Sequence, residues 1–220
     1  MNKMMLTILL VIVATIATLF FAPLDTAWIS AIIALVALMV SLISAFKDEI
    51  FPFRLTVLCD EIILAPTSAA SHDSLALIFP FVFINDGNGS GVVERLSIKV
   101  ESADSVKLYA PLSEIDYGVY ISGKRRVHAE SIIGAFGAFP LQGKESIQKH
   151  ILFSQAENSE KYPFNTWNED TFKIRVFVKC SNTKKPKELV CFNRQITKTI
   201  LDNYKSGIGA SVVGNRELDI

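Results

Sequence analysis

Asp86-x-Asn88-x-Ser90-Gly91 places short oxygen-bearing side chains at alternate positions ahead of a glycine. That is the first half of a calcium loop, whose ligands must be compact oxygens on a sharply turning backbone. The second half departs from the pattern: Ser97 stands where a bidentate Glu is needed, and Glu94 comes too early. Asn85 to Gly91 is therefore expected to be a hairpin turn, its glycines, Asn and Asp supplying positive φ. Asn88-Gly89-Ser90 also fits an N-glycosylation acceptor, which serves only a domain outside the cytoplasm. Ser71-His72-Asp73-Ser74 holds the residue types of a hydrolase triad. Neighbours in one loop rarely reach triad geometry, and no G-x-S-x-G elbow exists. His72, His128 and His150 lack metal-ligand spacing, and there is no phosphate-binding glycine loop. The expectation is a protein with no catalytic residue, no metal and no cofactor.

Two basic spots remain. Lys124-Arg125-Arg126, with His128, follows Gly123, and Lys184-Lys185-x-Lys187 sits in a later turn. Such runs are solvated turns first. Beside a membrane they could contact anionic lipid, at about 1 kcal/mol per basic residue. They could instead accept a phosphorylated ligand, with Tyr117, Tyr120 and Trp167 as aromatic platforms. Aromatics lining a cavity beside the 124–128 loop would favour that second use.

What must position these residues begins with the first 46. Met4–Ala22 and Ala27–Phe46 are apolar runs of about 20 residues, the length a helix needs to cross a bilayer. Pro-Leu-Asp-Thr joins them, so residues 1–46 are expected to form a two-helix transmembrane hairpin (about 4–22 and 27–46). Ser30, Ala34, Ala37 and Ser41 recur at spacings that put small residues on one helix face, a pattern that lets helices pack closely in lipid. Lys3, Lys47 and Arg54 flank a turn without Lys or Arg. The positive-inside rule then makes this an integral protein of a bacterial inner membrane with both termini cytoplasmic.

The rest reads as linker 47–52, a β-domain over 53–206 and a flexible tail 207–220. Lys and Arg total 22 against 22 Asp and Glu, so no net field points to nucleic acid. Three cysteines, Cys59, Cys180 and Cys191, make no disulfide framework and suit a reducing compartment. Phe53–Leu64, Leu75–Ile84, Val92–Val100, Val106–Leu112, Tyr117–Ile121 and Ile147–Phe153 read as strands. Leu75–Ile84 has no polar side chain, which suits burial on both faces, and Pro80 marks an edge or bulge. Phe172–Cys180 and Leu189–Lys198 alternate as a hairpin in which Cys180 should lie opposite Val190, with Cys191 on the other face. Residues 199–206 suit a short helix.

Seven or eight short strands fit an all-β sandwich. The strand–turn–strand segment 77–100, and Glu169-Asp170-Thr171-Phe172 leading into the last hairpin, resemble immunoglobulin-like or fibronectin-like modules. More narrowly, they resemble uncharacterised bacterial membrane-anchored sandwich proteins. The resemblance covers about residues 53–198 and implies a sandwich, with no functional residue carried over. Phe172 stands where many such domains place a corner tyrosine. A small β-barrel is the alternative architecture.

The function expected is non-enzymatic: a membrane scaffold presenting a β-sandwich to a macromolecular partner, with lipid and either a protein or a second copy as partners. The alternative is a sensor whose β-domain binds a small phosphorylated ligand and drives the transmembrane helices to assemble.

Overall fold

The computed structural model describes residues 13–14, 26–46, 51–59, 61–65, 76–103, 106–123, 125–155, 169–206 and 209–213. The chain divides into two compact units, Met1–Pro52 and Phe53–Ile220.

In the first unit, α1 spans Thr26–Ala45. Ile33, Val36, Leu38 and Val40 are exposed along it, and so are Ser30, Ala34, Ala37 and Ser41. Of the expected first helix only Val13 and Ala14 are described. Among the described residues no helix is long and apolar enough to cross a membrane. The two-helix transmembrane hairpin is thereby corrected, and so is the integral-membrane placement with cytoplasmic termini, which rested on charges flanking those spans. The physical reason is that apolar composition asks for burial of a helix surface without specifying a bilayer as the means.

In the second unit the strands are β1 (Leu55–Leu58), β2 (Glu61–Ala65), β3 (Ala76–Asn85), β4 (Gly91–Glu101), β5 (Val106–Ile115), β6 (Ile132–Ala135), β7 (Phe139–Leu141), β8 (Ser146–Gln155), β9 (Asp170–Cys180), β10 (Lys187–Ile196) and β11 (Ala210–Val213). Helix α2 (Tyr117–Ser122) follows β5, and α3 (Lys198–Lys205) follows β10. The strands pair antiparallel in the order β10-β9-β4-β5-β8-β3-β2-β11, with β1 beside β3, β6 beside β5 and β7 beside β4. β10 also touches β1 and β11, so the two ends of the path meet and the sheet is nearly closed, like a barrel. This corrects the immunoglobulin-like sandwich. A sandwich needs a break between two sheets, whereas β5 pairs with β4 at one end and β8 at the other, carrying the ladder across.

Period-two alternation fills the interior. Ile62, Leu64, Leu77, Phe79, Phe81, Phe83, Ile151 and Phe153 point inward with Ile98, Ile174 and Val176. Phe79 and Phe81 each meet Phe153 edge-on, at 5.5 and 6.1 Å between ring centres. The opposite face of the same strands carries a second, smaller core of Ile63, Ile78, Ile115 and Leu152, covered by Tyr120 and Val127. Ile78 therefore lies beneath α2, while Val82 and Ile84 further along β3 are only half-buried. Pro80 falls between the stretches of β3 that pair with β2 and with β1, a gap on that flank of the strand, while on the other flank it lies opposite His150 of β8.

Local departures have local causes. Tyr117–Ile121, expected as a strand, is helical because Asp116 caps it, accepting the Val119 N–H at 3.1 Å, and Gly123 closes it. The expected tail contributes β11, which pairs with β2. Val190 lies opposite Val176 rather than Cys180, because β10 begins at Lys187, which pairs with Val178, and so draws the hairpin into a tighter register; a bulge between Glu188 and Val190 then shifts it by one residue. The faces are nonetheless opposite: Cys180 is buried, Cys191 exposed, and none of Cys59, Cys180 and Cys191 is in a disulfide.

The 85–91 segment is a turn, pinned by buried Asn85. Its amide donates to the Gly89 and Gln142 carbonyls at 2.8 and 2.7 Å. Its carbonyl oxygen accepts from the Arg54 and Gly87 amides at 3.2 and 3.0 Å. Asp86, the first position of the calcium-like pattern, instead accepts the Thr56 hydroxyl. Among the described residues no group of three or more His, Cys, Asp or Glu is placed to hold a metal.

Candidate functional site

The outer face of β2 carries Glu61 and Ile63, two residues apart and so on one side of the strand. α2 lies over that face and turns Tyr117, Tyr120 and Ile121 toward it, at the three- and four-residue spacing of one helical face. The turn after α2 adds Arg125. These six residues line an open pocket of about 170 Å³. Two segments distant in sequence thus converge because the second core holds α2 against β2.

The turn has an unusual backbone. Arg125 has φ of 57°, a left-handed conformation uncommon outside glycine. It is held from both sides: its N–H donates to the Tyr120 carbonyl at 3.0 Å, and its carbonyl accepts from the Gly209 amide at 3.1 Å. Gly209 packs so closely that a Cβ there would fall 2.1 Å from the Tyr120 hydroxyl oxygen and 2.4 Å from the Arg125 carbonyl. The strand entering β11 therefore fixes the pocket rim.

Behind the rim three rings form a ladder. Tyr117 stacks on His150 at 4.4 Å with 3° between planes, and on Tyr120 at 6.0 Å. Burial raises the pKa of both phenols, and the Glu61 charge adds to the rise. Burial lowers His150, opposed by Glu61, Asp116 and Glu114. Tyr120 is fully buried, yet its hydroxyl has no hydrogen-bond partner. Arg125 forms no ion pair among the described residues.

The sequence singled out Tyr117, Tyr120 and Arg125, and the structure brings them together. Arg126 and His128 are exposed beyond the rim, and His128 approaches the Gly123 carbonyl at 3.3 Å. Lys124, Trp167 and the Ser71–Ser74 cluster lie outside the described residues. Lys184, Lys185 and Lys187 sit exposed at the β9–β10 turn and do not line the pocket. Glu61, Ile63, His150 and Gly209 had no local signature; only β2's period-two pattern could have paired Glu61 with Ile63 on one face.

No family model matches the chain, and no curated protein matches it. Among solved structures, a FixG-related protein from Vibrio parahaemolyticus aligns with a TM-score of 0.33 at 8% identity, covering 67% of this chain and 97% of that one. A protein of Bacillus subtilis described as a "putative lipoprotein" aligns with a TM-score of 0.37 at 16% identity, covering 69% of this chain and 41% of that one.

Proposed function

We propose that the second unit is a non-enzymatic binding module that takes a small polar ligand in the pocket between α2 and the outer face of β2. The observation that carries this is the buried Tyr120 hydroxyl without a partner, in a pocket wall that also holds Glu61 and Arg125. Leaving such a group unpaired costs about 1–3 kcal/mol, a cost a protein bears where the group is used. Binding rather than turnover is supported by the upward shift of both phenols, which removes them as bases near neutral pH. An engineered cavity of roughly 150 Å³ holds benzene, so a pocket of this size suits a ligand of that order.

Tyr120→Phe tests the reading. Without ligand it should be neutral or stabilise the fold by about 1 kcal/mol in urea titrations, because an unsatisfied buried hydroxyl is removed. The same variant should lose affinity for whichever compound raises the melting temperature in a screen of small polar molecules. Destabilisation by Tyr120→Phe would mean that the hydroxyl serves the fold, and the reading would fail. A screen without a single saturable compound would sink it as well.

A partner-binding reading has one observation in its favour. Leu112, Ile132 and Ile133 are exposed apolar side chains on paired β5 and β6.

A further inference from the structure

We propose that Asn88 is a site of spontaneous covalent modification, where the side chain cyclises onto the Gly89 backbone nitrogen, loses ammonia and ends as isoaspartate or aspartate. The inference is independent of the pocket, whose wall contains none of the residues of this turn.

The turn between β3 and β4 reads Asn85-Asp86-Gly87-Asn88-Gly89, so two dipeptides capable of succinimide chemistry stand side by side. In Asp86-Gly87 and in Asn88-Gly89 alike, the second residue lacks a Cβ, which lets the side-chain carbonyl carbon approach the next backbone nitrogen. The fold treats the two differently. Asp86 is held through its N–H, its carbonyl and its carboxylate. The N–H donates to the Arg54 carbonyl at 2.9 Å, the carbonyl accepts from the Lys144 ammonium, and the carboxylate accepts the Thr56 hydroxyl. The nitrogen that would attack it, that of Gly87, donates to the Asn85 side-chain oxygen at 3.0 Å in a buried bond. Cyclisation there must break that bond and free the carboxylate from Thr56.

Asn88 has no such restraint. Among the described residues its carboxamide makes no hydrogen bond, and neither does the Gly89 N–H beside it. Asn85 does hold Gly89, but by its carbonyl, one peptide unit beyond the reacting nitrogen. The Asn88 main chain lies against Gly143, where an added Cβ would fall 2.0 Å from the Asn88 carbonyl oxygen. Packing on the backbone, rather than a bond to the carboxamide, thus keeps Asn88 in place, and the residue is only half-buried, within reach of water.

The reaction needs nothing but water. Gly89 gives up its amide proton, its nitrogen bonds to the Asn88 Cγ, and the Cγ–Nδ2 bond breaks, releasing ammonia with that proton. Water then opens the succinimide. Opening at Cγ leaves aspartate, whereas opening at the backbone carbonyl leaves isoaspartate, with the main chain lengthened by a methylene. The longer chain draws the Gly89 carbonyl off the Asn85 amide, so the turn loses one of its pins.

The test is incubation of the full chain, native and in urea, in buffers from mildly acidic to mildly alkaline. Peptides are followed by mass spectrometry with fragmentation that separates aspartate from isoaspartate. Folding should slow conversion at Asn88 by less than tenfold and isomerisation at Asp86 by more than tenfold. The urea midpoint of the native chain should fall as isoaspartate accumulates at 88, whereas Asn88→Gln should stay unmodified there and hold its midpoint. Protection of Asn88 by tenfold or more would overturn the proposal, and so would equal protection of the two dipeptides. A midpoint that falls equally in Asn88→Gln would overturn the link between the modification and the turn.

Discussion

At the scale of single residues, Asn85 shows how much one side chain can organise. Four hydrogen bonds tie β3's end to the chain entering β1, to its own turn and to the loop before β8. Asn85→Ala leaves buried backbone groups unpaired and should destabilise the second unit by about 2–4 kcal/mol in urea denaturation. A loss under about 1 kcal/mol would show the turn holds itself. His150 gives a pH prediction. Its native pKa lies below the ordinary 6.5, so the unfolded chain binds the proton more readily. Stability from this group is complete above about pH 6.5 and declines as pH falls toward the lowered native value. Denaturation midpoints should fall over that window in the native chain and flatten in His150→Asn. An unchanged slope in the variant would remove His150 as the cause.

Elements were legible in the sequence where one physical signal dominated. β9 and β10 alternate cleanly, so their existence and facing could be read, but not the length of the turn between them, which sets the register, nor the bulge that shifts it by one residue. α2 was hidden because Tyr-Gly-Val-Tyr-Ile has strand-forming composition, and the Asp116 cap outweighs it only once Tyr120 has a core to bury against. β11 was hidden for the same reason: four residues acquire a fold only through β2. The site follows suit. Tyr117, Tyr120 and Arg125 lie within nine residues of sequence and could be grouped, whereas Glu61 and His150 arrive through sheet pairing. Gly209 is the element-scale test of that assembly. Gly209→Ala drives a methyl into the Arg125 carbonyl and the Tyr120 hydroxyl, so the turn must move. Destabilisation of about 1–3 kcal/mol is expected, together with loss of ligand binding. Native stability with intact binding would show that β11 does not hold the rim.

Across the whole molecule, a nearly closed sheet with a continuous phenylalanine-rich interior should open as one unit. Cysteines report this. Cys191 is exposed, whereas Cys180 is buried in the core and its thiol pKa is raised by that burial. Alkylation should modify Cys191 at the rate of a free thiol and Cys180 only at the rate of global opening. Equal rates would place a local opening at the end of β9.

The pairing of Leu64 with Ala210 and of Glu61 with Val213 also has a consequence for how the molecule is made. A ribosome delivers β2 long before β11, so throughout synthesis the Ile62-Ile63-Leu64 ribbon waits with one flank unzipped. That flank is a template for any extended peptide nearby, including the same ribbon of a neighbouring nascent chain. Closure must then span most of the polypeptide, which makes it slow. Glu61, at the head of the ribbon, is a gatekeeper during that wait: its charge discourages stray strands from docking in register until the proper one emerges.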